Sequence, residues 1–275
     1  MAQKLNHLFS RGCDLLLAPL AGVSPFWGIL LLSVLSSLFV LAVYRLVSSP
    51  RRVRAAKERI KASILAIRLY RDFWRTIIAS FGRSLFYTGK YFALNLAPLL
   101  LALPLLFLIF VQMDIRYGMR PFRPGEAIAV KARFAGPVAA IEAAVEPGPL
   151  ARAAMNPVYV DALREIDWKL RAVAGGEGAI VLRIDGAPVA KSLVVGDGDR
   201  TVALSNKRLA ASSLEHFIYP AEALLRPRSG LLSLSLRYPA RRIPFLGMRA
   251  HWLVWYVILT FAIALALKNK FGVEF

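Results

Sequence analysis

This chain has little cysteine, little histidine and a shortage of acid. Cys13 is its one cysteine, so no disulfide closes within the chain and no thiolate metal site can be built from it alone. His7, His216 and His251 are its three histidines, too few and too scattered to suggest a zinc enzyme. Only 17 acidic residues stand against 36 basic ones, giving a formal net charge of +19. No Asn-x-Ser/Thr acceptor, no nucleophile beside a base and no glycine-rich phosphate loop occurs in the sequence.

Apolar residues are in excess. They make up 57% of 275 residues, with a mean hydropathy of +0.52. Soluble domains usually hold about 45–50%. The excess is concentrated in three runs: Phe26–Val47 with one charge, Phe92–Val111 with none, and Trp252–Leu267 with none. An ordinary soluble protein is thereby excluded, and so is a disordered chain. A bilayer core of about 30 Å needs roughly 20 apolar residues in a helix, with about 17 as the lower end. The first two runs qualify outright. The third is extended by Ala250 and His251, and Trp252, Trp255 and Tyr256 suit an interfacial belt.

Residues 50–91 hold eleven basic residues against Glu58 and Asp72, a net +9 in 42 residues, and are expected to face the cytoplasm. The N-terminus and residues 113–250 then lie outside, and the tail after Lys268 lies inside. The first run is longer than a signal-peptide core and is followed by a basic block that stops transfer, so an uncleaved helix is expected.

Leu5, Leu8, Phe9, Cys13, Leu16 and Leu17 recur at helical spacing and predict an N-terminal helix, either amphipathic on the outer leaflet or without a role of its own. In the cytoplasmic segment Ile60, Ile64, Ile67, Trp74, Ile78, Phe81 and Leu85 form an apolar stripe. Most of the arginines lie on other faces. This reads as a helical hairpin or one long bent helix, with Gly82 and Gly89 as weak points. A plain basic loop on anionic lipid accounts for the charge but not for the stripe.

Residues 121–245 change character. Runs at 127–134, 139–145, 167–174, 179–185, 191–196, 201–204 and 231–238 alternate and are separated by turn signals, which predicts an antiparallel sandwich. Asp185-Gly186 sits between two alternating runs and predicts a tight hairpin. Glu142, Glu146, Asp161, Glu165 and Asp167 lack metal-loop spacing. The Gly196–Asp199 turn is either a calcium loop or, about ten times more commonly, an ordinary polar turn.

Arg45 is ionised within an apolar run, where a central arginine costs about 2.5–3.5 kcal/mol on insertion scales. Two readings are open: it snorkels to the surface, or it faces a polar cavity. Tyr44-Arg45-Leu46-Val47-Ser48-Ser49-Pro50 ends the first run, and a basic helical segment follows. This arginine, four residues, then proline, together with the order of parts, resembles the YidC/Oxa membrane insertase superfamily. With three spans the chain is most similar to its reduced members, the archaeal insertase-like proteins and the insertase subunit of the ER membrane complex. The likeness covers residues 1–120 and the last span. The chain departs from the family in its long first span, in a hairpin that lacks an acidic, methionine-rich coiled coil, and in a β domain between the second and third spans.

The resemblance implies a hydrophilic intramembrane groove with Arg45 as its positive residue. Ser33, Ser36, Ser37 and Asn95 are candidate lining groups, although hydroxyls in membrane helices more often serve helix packing. Arg51, Arg52, Arg54, Lys57, Arg68, Arg71 and Arg75 would meet anionic lipid or the ribosome. Pro98 and Pro104 would kink the second span. Newly made membrane proteins would be the clients, and no cofactor or covalent chemistry is expected. The β domain would bind an unknown extracytoplasmic protein. A competing reading makes that domain the working part of an envelope complex and the helices its anchor.

The expected fold is an α-helical polytopic membrane protein with three transmembrane helices and a cytoplasmic helical hairpin, plus an all-β, sandwich-like extracytoplasmic domain. Its parts are an outer-face helix (1–25), the first span (26–48), the basic hairpin (49–91), the second span (92–112), the β-rich domain (113–250), the third span (251–268) and a cytoplasmic tail (269–275). A bacterial inner membrane is the expected location.

Overall fold

Each of the three apolar runs folds into a helix long and apolar enough to cross a membrane. The computed structural model describes residues 2–20, 22–70, 73–197, 201–210, 218–225 and 230–273, with side chains from residue 10 onward. In chain order the helices are α1 (Ala2–Leu17), α2 (Pro25–Val47), α3 (Pro50–Leu69), α4 (Trp74–Met113) and α5 (Trp252–Phe271). Proline opens both α2 and α3, where its missing N–H costs nothing and its fixed φ suits the first turn. Arg71 and Asp72 lie outside the described residues.

The expected hairpin and second span merge. α4 runs unbroken for 40 residues, about 60 Å at 1.5 Å per residue, through Gly82, Gly89, Pro98 and Pro104. It is closed by a π-helical turn, Asp114–Gly118. The boundary placed at 91–92 from hydropathy therefore marks a change of surface and not of backbone.

The chain divides into two compact units, Leu30–Ile109 with Leu253–Phe275, and Met1–Ile29 with Phe110–Trp252. In the first unit Leu41 and Tyr44 of α2 pack with Val273, and Val40, Leu267 and Phe271 close around them. The Tyr44 hydroxyl donates to the Asn95 carbonyl of α4 at 2.9 Å. On α3, Val53, Ala56 and Ser63 are buried.

The second unit holds the strands: β1 (Ala127–Phe134), β2 (Ala143–Glu146), β3 (Ala151–Ala153), β4 (Val158–Val160), β5 (Glu165–Ala172), β6 (Gly176–Ile184), β7 (Ala187–Val195), β8 (Lys207–Leu209), β9 (Leu231–Leu236), β10 (Ile243–Phe245) and β11 (Met248–Ala250). A six-stranded sheet runs β3-β5-β1-β9-β8, with β4 also paired to β5. A three-stranded sheet runs β2-β6-β7, and β10 and β11 form a separate ribbon. Strand β1 shows the period-2 rule at work: Ile128, Val130, Ala132 and Phe134 are buried, and Lys131 and Arg133 face out. These residues join Ile166, Trp168 and Leu170 of β5 and Ile180, Leu182 and Leu193 of β6 and β7 in one apolar cluster.

The β6–β7 hairpin forms as expected. Ile184 pairs with Ala187, and Asp185 (φ 47°) and Gly186 (φ 76°) fill a two-residue turn with both φ values positive, which Asp-Gly accommodates. The run at 201–204 forms no strand, and Leu204 donates its N–H to the Ile115 carbonyl instead. The run at 139–145 pairs only from Ala143.

Acids in this unit serve pairing. Lys131 Nζ meets Asp167 at 3.0 Å and Glu165 at 3.6 Å, and Arg183 meets Glu146 at 2.5 Å. Lys191 is fully buried. It donates to the Ser205 carbonyl at 2.6 Å and pairs with Glu222 at 2.9 Å, and burial pushes its ammonium pKa down despite that partner.

Candidate functional site

Arg45 is exposed near the end of α2, whereas its neighbour Tyr44 and Leu41, one turn before it, are buried. It makes no ion pair among the described residues. Arg51, Arg52, Arg54, Arg68 and Arg75 are exposed as well, and Lys57 is half-buried with its ammonium 5.5 Å from the Tyr91 ring centroid. Five of the seven stripe residues are open, and Ile60 and Ile67 are half-buried. Trp74, Ile78, Phe81 and Leu85 are each more than 60% exposed, and Ile64 is 55% exposed. These helices thus expose both arginines and large apolar side chains, a composition that suits a lipid interface or an apolar polypeptide.

The three serines lie elsewhere. Ser33, Ser36 and Ser37 are completely buried. Ser37 Oγ sits 2.7 Å from the Ser33 carbonyl of its own helix and 3.0 Å from the Thr260 carbonyl of α5, so it bridges the two helices. The Tyr256 phenol lies beside the Ser36 and Thr260 hydroxyls. These groups form a hydroxyl seam between α2 and α5, an arrangement in which small side chains let helices approach closely. Eight residues, about 12 Å of helix rise, separate Ser37 from Arg45. Asn95 is half-buried, and its side-chain amide donates to the Tyr91 carbonyl of its own helix at 2.8 Å. Of the residues proposed from the sequence as one groove, Ser33, Ser36 and Ser37 thus lie in a packed seam, Asn95 is half-buried on α4 and Arg45 is exposed.

The aromatic belt expected at the start of α5 is packed away. Trp252, Trp255 and Tyr256 are each at most 4% exposed. Trp252 Nε1 donates to Asp114 at 3.2 Å, and its ring meets Phe110 edge-on.

The second unit contains a charged junction that the hydropathy reading passed over. Arg116, in the π turn, is 3% exposed. Its guanidinium donates to the Asp14 carboxylate of α1, to the Gln112 side-chain and main-chain oxygens, and to the Ser10 carbonyl. Gln112 in turn donates to Ser10 Oγ at 2.8 Å. The main chain of the same turn accepts from Arg241, whose N–H meets the Gly118 carbonyl at 2.9 Å. Tyr117 closes the junction: a Cβ on Gly28 would lie 1.8 Å from its hydroxyl. The signal in the sequence was the Asp-Ile-Arg triplet directly after an uncharged run.

Beside this junction is a cleft of about 570 Å³ lined by Ser24, Arg120, Arg123, Asp197, Arg241 and Arg242 among others. Arg120 makes a two-pronged pair with Glu126 at 2.7 and 3.0 Å, and this holds the Glu126 carboxyl below its ordinary value. Among the described residues no group of three or more His, Cys, Asp or Glu side chains converges as a metal site would require. Gly198 and Asp199 of the polar turn lie outside the described residues. No protein-family model, curated protein or solved structure matches this chain.

Proposed function

We propose that this chain is a multi-pass membrane protein of the YidC/Oxa type, working as a membrane-protein insertase or insertase-like chaperone. The observation that carries the reading is a pair of exposures, that of Arg45 and that of the helices which follow it. Arg45 stands exposed at the end of an apolar helix, and the next two helices expose arginines and a long apolar stripe. An exposed guanidinium at the edge of a low-dielectric layer attracts acidic groups of an incoming polar segment more strongly than it would in water. The stripe gives the segment's apolar part a surface to lie on.

The working groups in this reading are Arg45 and, on the helices that follow, Ile64, Trp74, Ile78 and Phe81. The buried serines hold α2 against α5. Basic residues of α3 and the start of α4 would rest on anionic lipid or meet the ribosome. The β region, read as a sandwich outside a bacterial inner membrane, would bind a partner there.

Insertion of a membrane substrate into vesicles, or complementation in cells, tests this. Arg45→Ala is expected to abolish the activity and Arg45→Lys to retain part of it. Unchanged insertion with Arg45→Leu would exclude the arginine mechanism. A second reading, an envelope-complex component anchored by its helices, is favoured by the separate apolar core of the β region. Deleting residues 121–245 separates the two: an anchor loses all function, and an insertase keeps some.

A further inference from the structure

The arginine-lined cleft is built from three separate stretches of chain. Arg120 and Arg123 come from the segment after the π turn, Arg241 and Arg242 from the segment before β10, and Ser24 from the residue before α2. Four guanidiniums against Asp197 leave a charge of +3, and Glu126 compensates Arg120, leaving +2. Arg241 is 6% exposed and fixed through its backbone and guanidinium to the π turn, so it forms part of the wall. Arg123 and Arg242 are exposed at the cleft. They are the two cations that an entering anion would meet. Planar guanidiniums of this kind grip phosphate oxygens in pairs. The volume falls within the range of small-ligand sites, about 300–1,000 Å³.

An apolar tip adjoins the cleft. β10, whose first two residues line the cleft, leads into a two-residue turn at Leu246 and Gly247. Leu246 has φ 48° and is 79% exposed, and Met248 is 58% exposed. A branched apolar residue is an expensive choice for a left-handed turn in water, where asparagine or glycine costs less. Phe245 stacks on Phe26 of α2 with ring centroids 3.7 Å apart, and the next residue, Trp27, is 52% exposed. Exposed apolar groups thus stand next to a cationic cleft at the start of an apolar helix. That pairing matches one molecule: acyl chains against Leu246, Met248 and Trp27, and a phosphate between the arginines.

We propose that this cleft binds the phosphate headgroup of an anionic phospholipid. The proposal rests on the membrane part of the reading above and does not depend on insertase activity. The site is a single bound lipid and differs from the diffuse attraction expected of the basic hairpin.

The full chain is extracted in mild detergent, and its retained lipids are counted by native mass spectrometry. One anionic phospholipid per chain is expected. Replacing both Arg123 and Arg242 with glutamine should reduce its occupancy about tenfold, as loss of charge-assisted hydrogen bonds implies. Equal retention by parent and variant overturns the proposal. So does complete displacement of the lipid by excess inorganic phosphate, which would assign the cleft to the free anion. Gel filtration checks folding. If the double variant aggregates, Arg123→Gln alone is measured, and unchanged retention there overturns the proposal equally. Alkaline carbonate extraction of native membranes separates the two failures. Release of the chain overturns the membrane reading itself, whereas a chain that stays in the pellet without the lipid overturns only the headgroup site.

Discussion

Arg116 and Asp14 form an ion pair that joins the π turn after α4 to α1, with the arginine side chain 4% exposed and the carboxylate 62% exposed. The guanidinium has lost its water and depends on the pair and on Gln112 and Ser10 for compensation. Asp14→Ala should lower stability by about 1–2 kcal/mol, less than for a fully buried pair because the carboxylate stays wet. Thermal unfolding of the detergent-solubilised protein measures it. An unchanged midpoint would mean that Gln112 and the Ser10 carbonyl satisfy Arg116 without the carboxylate.

Gly28 and Tyr117 are matched in the same region. A Cβ at residue 28 would fall 1.8 Å from the phenol oxygen and 2.8 Å from the carbon carrying it, and Tyr117 is 2% exposed. Gly28→Ala should cost about 1–3 kcal/mol as an overpacked site. Adding Tyr117→Phe removes the closest atom and should recover part of the loss. A double variant no better than the single one would show that the clash is relieved some other way.

The Arg120–Glu126 pair makes an acid-side prediction. Hydrogen bonding to Arg120, the largest cause, holds the Glu126 pKa below 4.5, with the Arg123 N–H adding to it. The carboxylate's contribution is therefore fully present above pH 4.5 and is lost as pH falls from there through the lowered value. Stability measured from pH 6 downward should fall less steeply in Glu126→Gln than in the parent. Identical slopes would remove Glu126 from the acid response.

The hydroxyl seam should behave as packing. Ser37→Ala removes the link to the Thr260 carbonyl, and Tyr44→Phe removes the link to the Asn95 carbonyl. Each should cost about 0.6 kcal/mol, the average for such bonds between membrane helices, and leave insertion activity intact. Loss of activity without loss of stability would return Ser37 to the working groups.

What the sequence made readable was local. The β6–β7 hairpin was legible because alternation and turn chemistry both sit within 20 residues and agree. The three apolar helices were legible because length and composition suffice. Strands β3, β4 and β8 were not, since three residues are too few to show a period. The run at 201–204 alternates like a strand, yet Leu204 spends its N–H on a carbonyl 89 residues earlier. The partners of Arg116 were hidden for the same reason: Asp14 is 102 residues away. Arg45 was conspicuous as a charge in an apolar run. Which face it occupies depends on α4 and α5 covering the other side of α2, and no pattern in α2 alone reports that.

Cysteine accessibility along α2 tests the insertase reading most directly, with single cysteines placed in a Cys13→Ser background in native membranes. Leu35, Leu38, Arg45 and Leu46 share the exposed side of the helix, whereas Ser33, Ser36 and Ser37 are buried. The account predicts that a polar thiol reagent labels positions 45 and 46 and reaches 38 and 35, two to three turns deeper, while positions 33, 36 and 37 stay protected. Labelling that stops at residue 45 would contradict it, leaving Arg45 as a snorkelling residue on an anchor and the β domain as the working part.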